Sequence, residues 1–174
     1  MTTDEELENW LGLEGYVPGE MMTYTGRQVK PLDIDEFQIH ILDIAHALSR
    51  INRFNGHTAG NISVAEHSVM VSRMLEDDLK LTGLFHDAPE AYLGDIIRPL
   101  KMLPMMKFYK AAESKIYSVM ALKFGLIDPI PTEVKVADNA RLEDELVSRH
   151  HPSVCMSPND AELLFLQEYL KLTT

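Results

Sequence analysis

Residues 63–94, SVAEHSVMVSRMLEDDLKLTGLFHDAPEAYLG, carry two helical patterns back to back. Ser63 and Glu66 stand three apart as a capping box, in which each side chain serves a backbone N–H left free at a helix start. Val64, Ser68, Val71 and Leu75 then recur at helical spacing and predict an amphipathic helix to about Glu76, with His67 beside the apolar stripe and not opposite it. From about Asp78 to Leu93 a second helix carries Leu81, Leu84, Phe85 and Ala88. Pro89 interrupts its hydrogen-bond ladder, so the chain should bend just after His86-Asp87, and Gly94 ends it.

Working outward, the same period continues on both sides. Phe37, Ile41, Ile44, Ala45, Leu48 and Ile51 form one stripe of a helix closed by Asn55-Gly56, with His46, Arg50 and Arg53 as a second, polar stripe. Downstream, residues 96–106 hold two prolines and read as a loop; Lys107 to Phe124 is helical with Gly125 as its stop. LIDPIP is a linker, Thr132 caps a helix to about Arg149, and Ser157-Pro158 opens a last one through Leu170. Upstream, Thr3 and Glu6 cap a short helix with Leu7, Trp10 and Leu11 on one edge, and residues 21–32 allow one small hairpin about a Thr-Gly turn. There is no internal repeat. The expectation is an all-α fold, a single bundle of about six or seven helices over residues 36–174, flanked by an acidic N-terminal segment, residues 1–35.

At 174 residues, 45% hydrophobic and 25% charged, with 9 Gly and 9 Pro, the composition is that of a globular domain with a real core. No apolar run approaches the ~18 residues of a membrane span, and MTTDEELENW lacks the basic and apolar regions of a signal peptide, so a cytoplasmic, membrane-free protein is expected. A single cysteine, Cys155, leaves any metal site to His, Asp and Glu. The net charge of −11 repels nucleic acid backbones and makes duplex DNA an unfitting partner. Part of that acidity is terminal, since the first 26 residues hold six acids and no Lys or Arg.

His86-Asp87 alone proves little, because chance supplies about 0.5 such dipeptides at this composition. Placement adds weight: His67 projects from the preceding helix near its core edge, and Asp138 sits on a later helix beside Val134, Ala137 and Leu142. Polar groups at core edges need partners. Two imidazoles and two carboxylates converging from three helices would suit a borderline divalent ion, Zn²⁺, Co²⁺, Mn²⁺ or Fe²⁺, with positions left for water and substrate and room for a second Mg²⁺ or Mn²⁺ arriving with it. The bland alternative is hydrogen-bonded core-edge groups with no metal. On a continuous helix His86 and Asp87 diverge by about 100°, so the ion would sit over the seam between them. Glu90, three residues after Asp87 and four after His86, lies on the same helical face, where it can serve as general acid/base or stand as a solvated surface acid.

Between Ile96 and Ala112 stand Arg98, Lys101, Lys107 and Lys110 without one acid, and Arg50 and Arg53 cluster beside His57. Cations beside a carboxylate-rich metal centre are what a phosphate ester requires. Arg53 and Lys101, at helix-to-loop junctions, are the stronger candidates; Lys107 and Lys110 read as surface charge.

These pieces resemble the HD-domain metal-dependent phosphohydrolases, whose ordered pattern of a His, a His-Asp pair and a distant Asp reads here as VAEHS, LFHDAPEAYLGD and VKVADNARLEDE. SRINRFNGHT before VAEHS, with HDAPEAYLGDIIRPLK, is similar to the small nucleotidase branch, the bacterial deoxyribonucleoside 5′-monophosphatases and the phage deoxyadenosine triphosphate triphosphohydrolases, over about residues 40–150. The resemblance implies metal ligation by His67, His86, Asp87 and Asp138, catalysis through Glu90 and Asp95, the latter near the deoxyribose, and phosphate contacts from Arg53 and Lys101. Phe54 stands where the monophosphatases carry a tryptophan, and 19 residues separate His67 from His86, both leaning toward the compact phage type.

The expected activity is hydrolysis of a deoxynucleotide 5′ phosphoester to release the deoxynucleoside, with a triphosphate substrate favoured over a monophosphate. Phe54 would pack on base or sugar or simply be core, and His57 would touch phosphate or cap the Asn55-Gly56 turn; His150 and His151 face solvent. Rivals are an HD phosphodiesterase or alarmone hydrolase, for whose usual extra domains the chain has no room, a non-catalytic metal- and nucleotide-binding module, and a helical scaffold without metal. The resemblance also implies a homo-oligomer, to which Met102, Met105 and Met106 offer an adaptable apolar contact.

Overall fold

The Thr25-Gly26 turn closes an antiparallel hairpin of β1 (Met21–Met22) and β2 (Gln28–Val29), in which Met21 faces Val29 and Met22 faces Gln28. Gly26 occupies the left-handed region at φ +82°, which a Cβ would disfavour. The computed structural model describes residues 19–148 and 156–174. The short helix expected after Thr3, and Arg149, His150, His151 and Cys155, lie outside the described residues.

Past the hairpin the described chain is mostly helical, and the two strands are its one small sheet. The helices are α1 (Ile41–Leu48), α2 (Val64–Arg73), α3 (Asp77–Leu84), α4 (Glu90–Leu93), α5 (Arg98–Lys101), α6 (Lys107–Phe124), α7 (Thr132–Ser148) and α8 (Pro158–Thr173). Two of them, α4 and α5, are single turns of four residues. Three expected boundaries are met: the Ser63 side chain accepts the Glu66 N–H at 3.1 Å, Ser157 accepts that of Asp160 at 3.2 Å, and Gly125 closes α6 at φ +70°. No helix among the described residues is long and apolar enough to cross a membrane.

α2 is the axis of the structure, packed against α3, α7 and α8, while α1 lies across α8 and α4. The expected amphipathic character of α2 is not observed: from Val64 to Val69, and again at Val71 and Ser72, the helix is buried on nearly every side. Its small hydroxyl residues explain how neighbours come so near. Ser72 Oγ donates to the Lys80 carbonyl at 2.8 Å, and Gly83 of α3 passes so close that a Cβ there would strike Leu75 and stand 3.3 Å from the Ser72 Cα. The main core joins Ile44 and Leu48 of α1, Val64 and Val69 of α2, Leu84 and Phe85, Ile116 and Met120 of α6 and Phe165 of α8, and also takes in Val29 and Ile34 from the N-terminal side. Each such side chain, fully buried, contributes roughly 1.5–3 kcal/mol.

Three elements differ from expectation, each for a local reason. The helix expected from Phe37 to Asn55-Gly56 is shorter at both ends: α1 stops at Leu48, with a separate 3₁₀ turn at Arg53–Gly56, and Phe37 does not extend its stripe and is 81% exposed. The Asp35 carboxylate accepts the N–H groups of Phe37 and Gln38, which turns the chain, and helix begins only after His40 accepts the Leu42 N–H at 3.3 Å. The helix expected over 78–93 is two, α3 and α4, with His86-Asp87 in the turns between them. Pro89 has no N–H for the Phe85 carbonyl, so the bonding shifts to three-residue steps, Ala88 N–H to Phe85 and Glu90 N–H to Asp87, both 3.0 Å. Residues 96–106 are likewise no plain loop: Pro99 opens α5 and Pro104 opens a 3₁₀ turn to Met106, since a proline in the first turn forfeits no bond.

Candidate metal centre and cleft

His67 is held in the first turn of α2, His86 and Asp87 in the turns after α3, and Asp138 in the second turn of α7. Because His86-Asp87 has left the helix, the 100° divergence expected of neighbours on a helix does not apply. Both side chains turn the same way, and His86 Nε2 lies 3.2 Å from Asp87 Oδ2. His67 Nε2 lies 3.7 Å from that same oxygen and 3.1 Å from Asp138 Oδ1, to which His86 Nε2 stands at 3.9 Å. The donor atoms of His67, His86 and Asp87 all fall within 4.8 Å of one another and could hold a metal ion. Asp138 sits against both rings at its edge.

The outer nitrogens show which way the rings are wired. His67 Nδ1 lies 2.9 Å from Glu145 Oε1, and His86 Nδ1 lies 2.8 Å from the Gly83 carbonyl. Carboxylate and carbonyl only accept, so each Nδ1 carries the hydrogen and each Nε2 of a neutral ring presents its lone pair to the centre. Both Nε2 atoms are buried with no hydrogen-bond partner among the described residues. Two inward lone pairs facing carboxylate oxygens repel one another unless a cation lies between, so the donor set fits a borderline divalent ion, its rings oriented from behind. Without a cation, protons must balance the cluster. Burial opposes the His86 imidazolium, yet the Asp87 carboxylate more than offsets this and raises the pKa of His86. Burial likewise pushes Asp87 up, but His86, His67 and Arg53 hold it well below the usual carboxylate range.

The centre opens on a cleft of about 590 Å³ whose lining includes Arg53, Phe54, Glu90, Asp95 and Lys101. Arg53 is positioned by its backbone: its N–H reaches the Ile62 carbonyl at 2.9 Å, next to a single bridge between Asn52 and Ser63 that ties this turn to the start of α2. Its Nε donates to Glu145 Oε2 at 2.8 Å and its Nη1 lies 3.6 Å from Asp87 Oδ2. Phe54 and Asn55 both sit in the left-handed region, at φ +57° and +51°, a strain of about 1–2 kcal/mol for the phenylalanine. That strained turn sets the Phe54 ring beneath the Arg53 guanidinium, 5.6 Å from it, at the cleft wall.

Glu90 begins α4 and is 3% exposed. Its Oε1 accepts from Lys101 Nζ at 2.8 Å, while Oε2 is buried without a partner among the described residues. Burial raises its pKa well above the usual range, the Asp87 charge adds to this, and Lys101 offsets part of it. Burial also raises the Asp95 pKa. His57 does not reach the cleft: it is exposed, and its N–H closes the turn onto the Phe54 carbonyl at 3.0 Å, the capping role and not a phosphate contact.

Two relatives bear on family. Over 123 residues the chain is 41% identical to the uncharacterized protein YfdR of Escherichia coli (strain K12), covering 71% of this chain and 68% of that protein. The chain belongs to the YfdR family. Within it, a second relative is the uncharacterized protein RCAP_rcc00048 of Rhodobacter capsulatus, 37% identical over 139 residues, which span 71% of this chain and 70% of that one. No family model matches the chain.

In this YfdR-family chain three site residues escape a reading by motif. Glu145, fully buried, receives His67 and Arg53 together with Arg141 Nε at 3.2 Å. It stands seven residues after Asp138, two turns along one helix face, and that spacing could have flagged it. Glu113 holds Lys101 from the far side at 2.9 Å, with no sequence mark to find it. Arg98 crosses the cleft mouth to Asn139 at 2.8 Å and Asp138 at 3.4 Å, so a cation from the acid-free stretch already touches the proposed ligand set.

Proposed function

We propose that the chain is an HD-type metal-dependent phosphohydrolase, residues 36–174 forming the domain, that cleaves the 5′ phosphoester of deoxynucleotides, triphosphates in preference to monophosphates. One observation carries the reading: two imidazole Nε2 lone pairs are buried beside Asp87 and Asp138 with no hydrogen-bond partner among the described residues, at the end of a cleft that also holds Arg53, Glu90 and Lys101. His67, His86, Asp87 and Asp138 would hold the ion, which when bound polarises a phosphoryl oxygen and lowers the pKa of a water.

The chain's own groups divide the remaining work. Glu90, buried and shifted toward neutrality, takes a proton from the attacking water and returns it to the departing oxygen. Arg53 and Lys101 offer fixed positive charge where phosphate oxygens accumulate negative charge, and the apolar wall of Ile97 and Leu142 excludes water around them. Phe54 gives base or sugar a flat face, and Asp95 accepts from a sugar hydroxyl. Met102 and Met105, 70% and 80% exposed beside the cleft, are where a second copy would pack.

The deciding experiment incubates the protein with deoxynucleoside mono- and triphosphates in Mn²⁺, Co²⁺, Zn²⁺ or Mg²⁺ and identifies both products. Deoxynucleoside plus tripolyphosphate is the expected result, deoxynucleoside plus orthophosphate would move the reading to the monophosphatase, and no release with any pair would overturn it.

A further inference from the structure

We propose that Glu145 is a positioning residue that sets the metal ligand His67 and the phosphate-binding Arg53 from one carboxylate. Glu145 is fully buried on α7, with Oε1 2.9 Å from His67 Nδ1 and Oε2 2.8 Å from Arg53 Nε. A carboxylate can only accept, so it obliges His67 to carry its hydrogen on Nδ1 and to turn Nε2 inward to the centre, 3.1 Å from Asp138 Oδ1 and 3.7 Å from Asp87 Oδ2. The other oxygen takes the Nε of Arg53, which aims the guanidinium edge along Asp87, Nη1 at 3.6 Å, and leaves it lining the cleft. The two jobs share one group, so neither can be loosened alone. A glutamine keeps size and shape, but its amide gives one oxygen and one NH₂, and the NH₂ would face either the Nδ1–H or the Nε–H, donor against donor.

The inference rests on the metal-centre reading above, and the tests separate the two. Calorimetric titration with Mn²⁺ alone should show Glu145→Gln binding about 10- to 100-fold more weakly than wild type, as for groups that orient a ligand from behind. Inorganic phosphate binding to the Mn²⁺-loaded protein should weaken in the same variant. Arg141→Gln removes a donor, Nε at 3.2 Å, that touches neither cleft nor centre, and Mn²⁺ affinity should stay within about fivefold of wild type. Equal losses in both variants would make Glu145 a packing residue and overturn the proposal. Should Glu145→Gln not fold, long-range ¹H–¹⁵N spectra of the wild-type metal-free protein decide the matter. Hydrogen on Nδ1 of His67 is expected, whether or not Nε2 also carries one, and a ring with no hydrogen on Nδ1 would refute the inference. Wild-type protein that binds no Mn²⁺, Co²⁺ or Zn²⁺ refutes the phosphohydrolase reading first, whereas Mn²⁺ binding unchanged by Glu145→Gln refutes only the role given to Glu145.

Discussion

A carboxyl that is to move protons near neutral pH needs an environment that costs its anion something, and Glu90 has one. It is 3% exposed, one oxygen has no partner among the described residues, and the Lys101 cation at 2.8 Å is shared with Glu113. Glu90→Gln preserves the bond accepted from Lys101 and leaves the proposed ligands intact, yet cannot carry a proton. Turnover should fall on the order of 10²- to 10⁴-fold while Mn²⁺ affinity holds, read by initial rates and by calorimetry. Turnover near wild type would remove Glu90 from the mechanism. Residues such as this were legible by type and spacing, but the geometry that brings them in was not. Glu90 reaches the cleft because Pro89 starts a new turn there, not because it shares a helix face with His86 and Asp87. His57 marks the opposite limit: proximity to Arg53 in sequence left a phosphate contact and a turn cap both open, and beside the strained Phe54-Asn55 backbone the residue is exposed and its N–H closes the turn.

Helix starts and stops follow from single residues whose backbone demands are local, which is why Ser63, Ser157 and Gly125 announce α2, α8 and the end of α6. Burial of a whole helix is a tertiary property, and the sequence of α2, with Glu66, His67, Ser68 and Ser72, hides it. The close packing of α3 on α2 depends on Gly83, whose carbonyl also orients His86 at 2.8 Å. Gly83→Val gains only about 0.5 kcal/mol in helix propensity. Against that, a branched side chain driven into Leu75 and the Ser72 backbone costs roughly 1–3 kcal/mol. A net loss is therefore expected, read as a lower midpoint in urea with an unchanged slope. The same variant should weaken Mn²⁺ binding, because the displaced carbonyl no longer fixes the His86 ring. A midpoint at or above wild type would show that the two helices separate freely at this point.

At the scale of the molecule, the candidate centre ties α2, the α3–α4 turn and α7 together, elements that the chain visits at residues 67, 86–87 and 138. Contact between α2 and α7 otherwise rests on a small apolar cluster, Val71, Val134 and Ala137, set apart from the main core, and on the buried contact of His67 with Glu145. A cation bound between His67 and Asp138 would therefore cross-link the less apolar side of the bundle. Since the unfolded chain cannot present these groups together, the ion should bind the folded state alone and stabilise it by about 2.7 kcal/mol at one hundred times its dissociation constant. For a chain of this size each kcal/mol is about 2–4 °C in Tm, so Mn²⁺, Co²⁺ or Zn²⁺ should raise Tm by roughly 5–10 °C, reversed by chelator. Asp138→Ala removes the α7 ligand without touching the main core, and should abolish most of that shift while leaving the metal-free Tm close to wild type. A full shift in Asp138→Ala would place the ion on His67, His86 and Asp87 alone, with α7 held by its apolar contacts and by Glu145. No shift with any of the three metals would mean that protons, not a cation, balance the buried imidazoles and carboxylates.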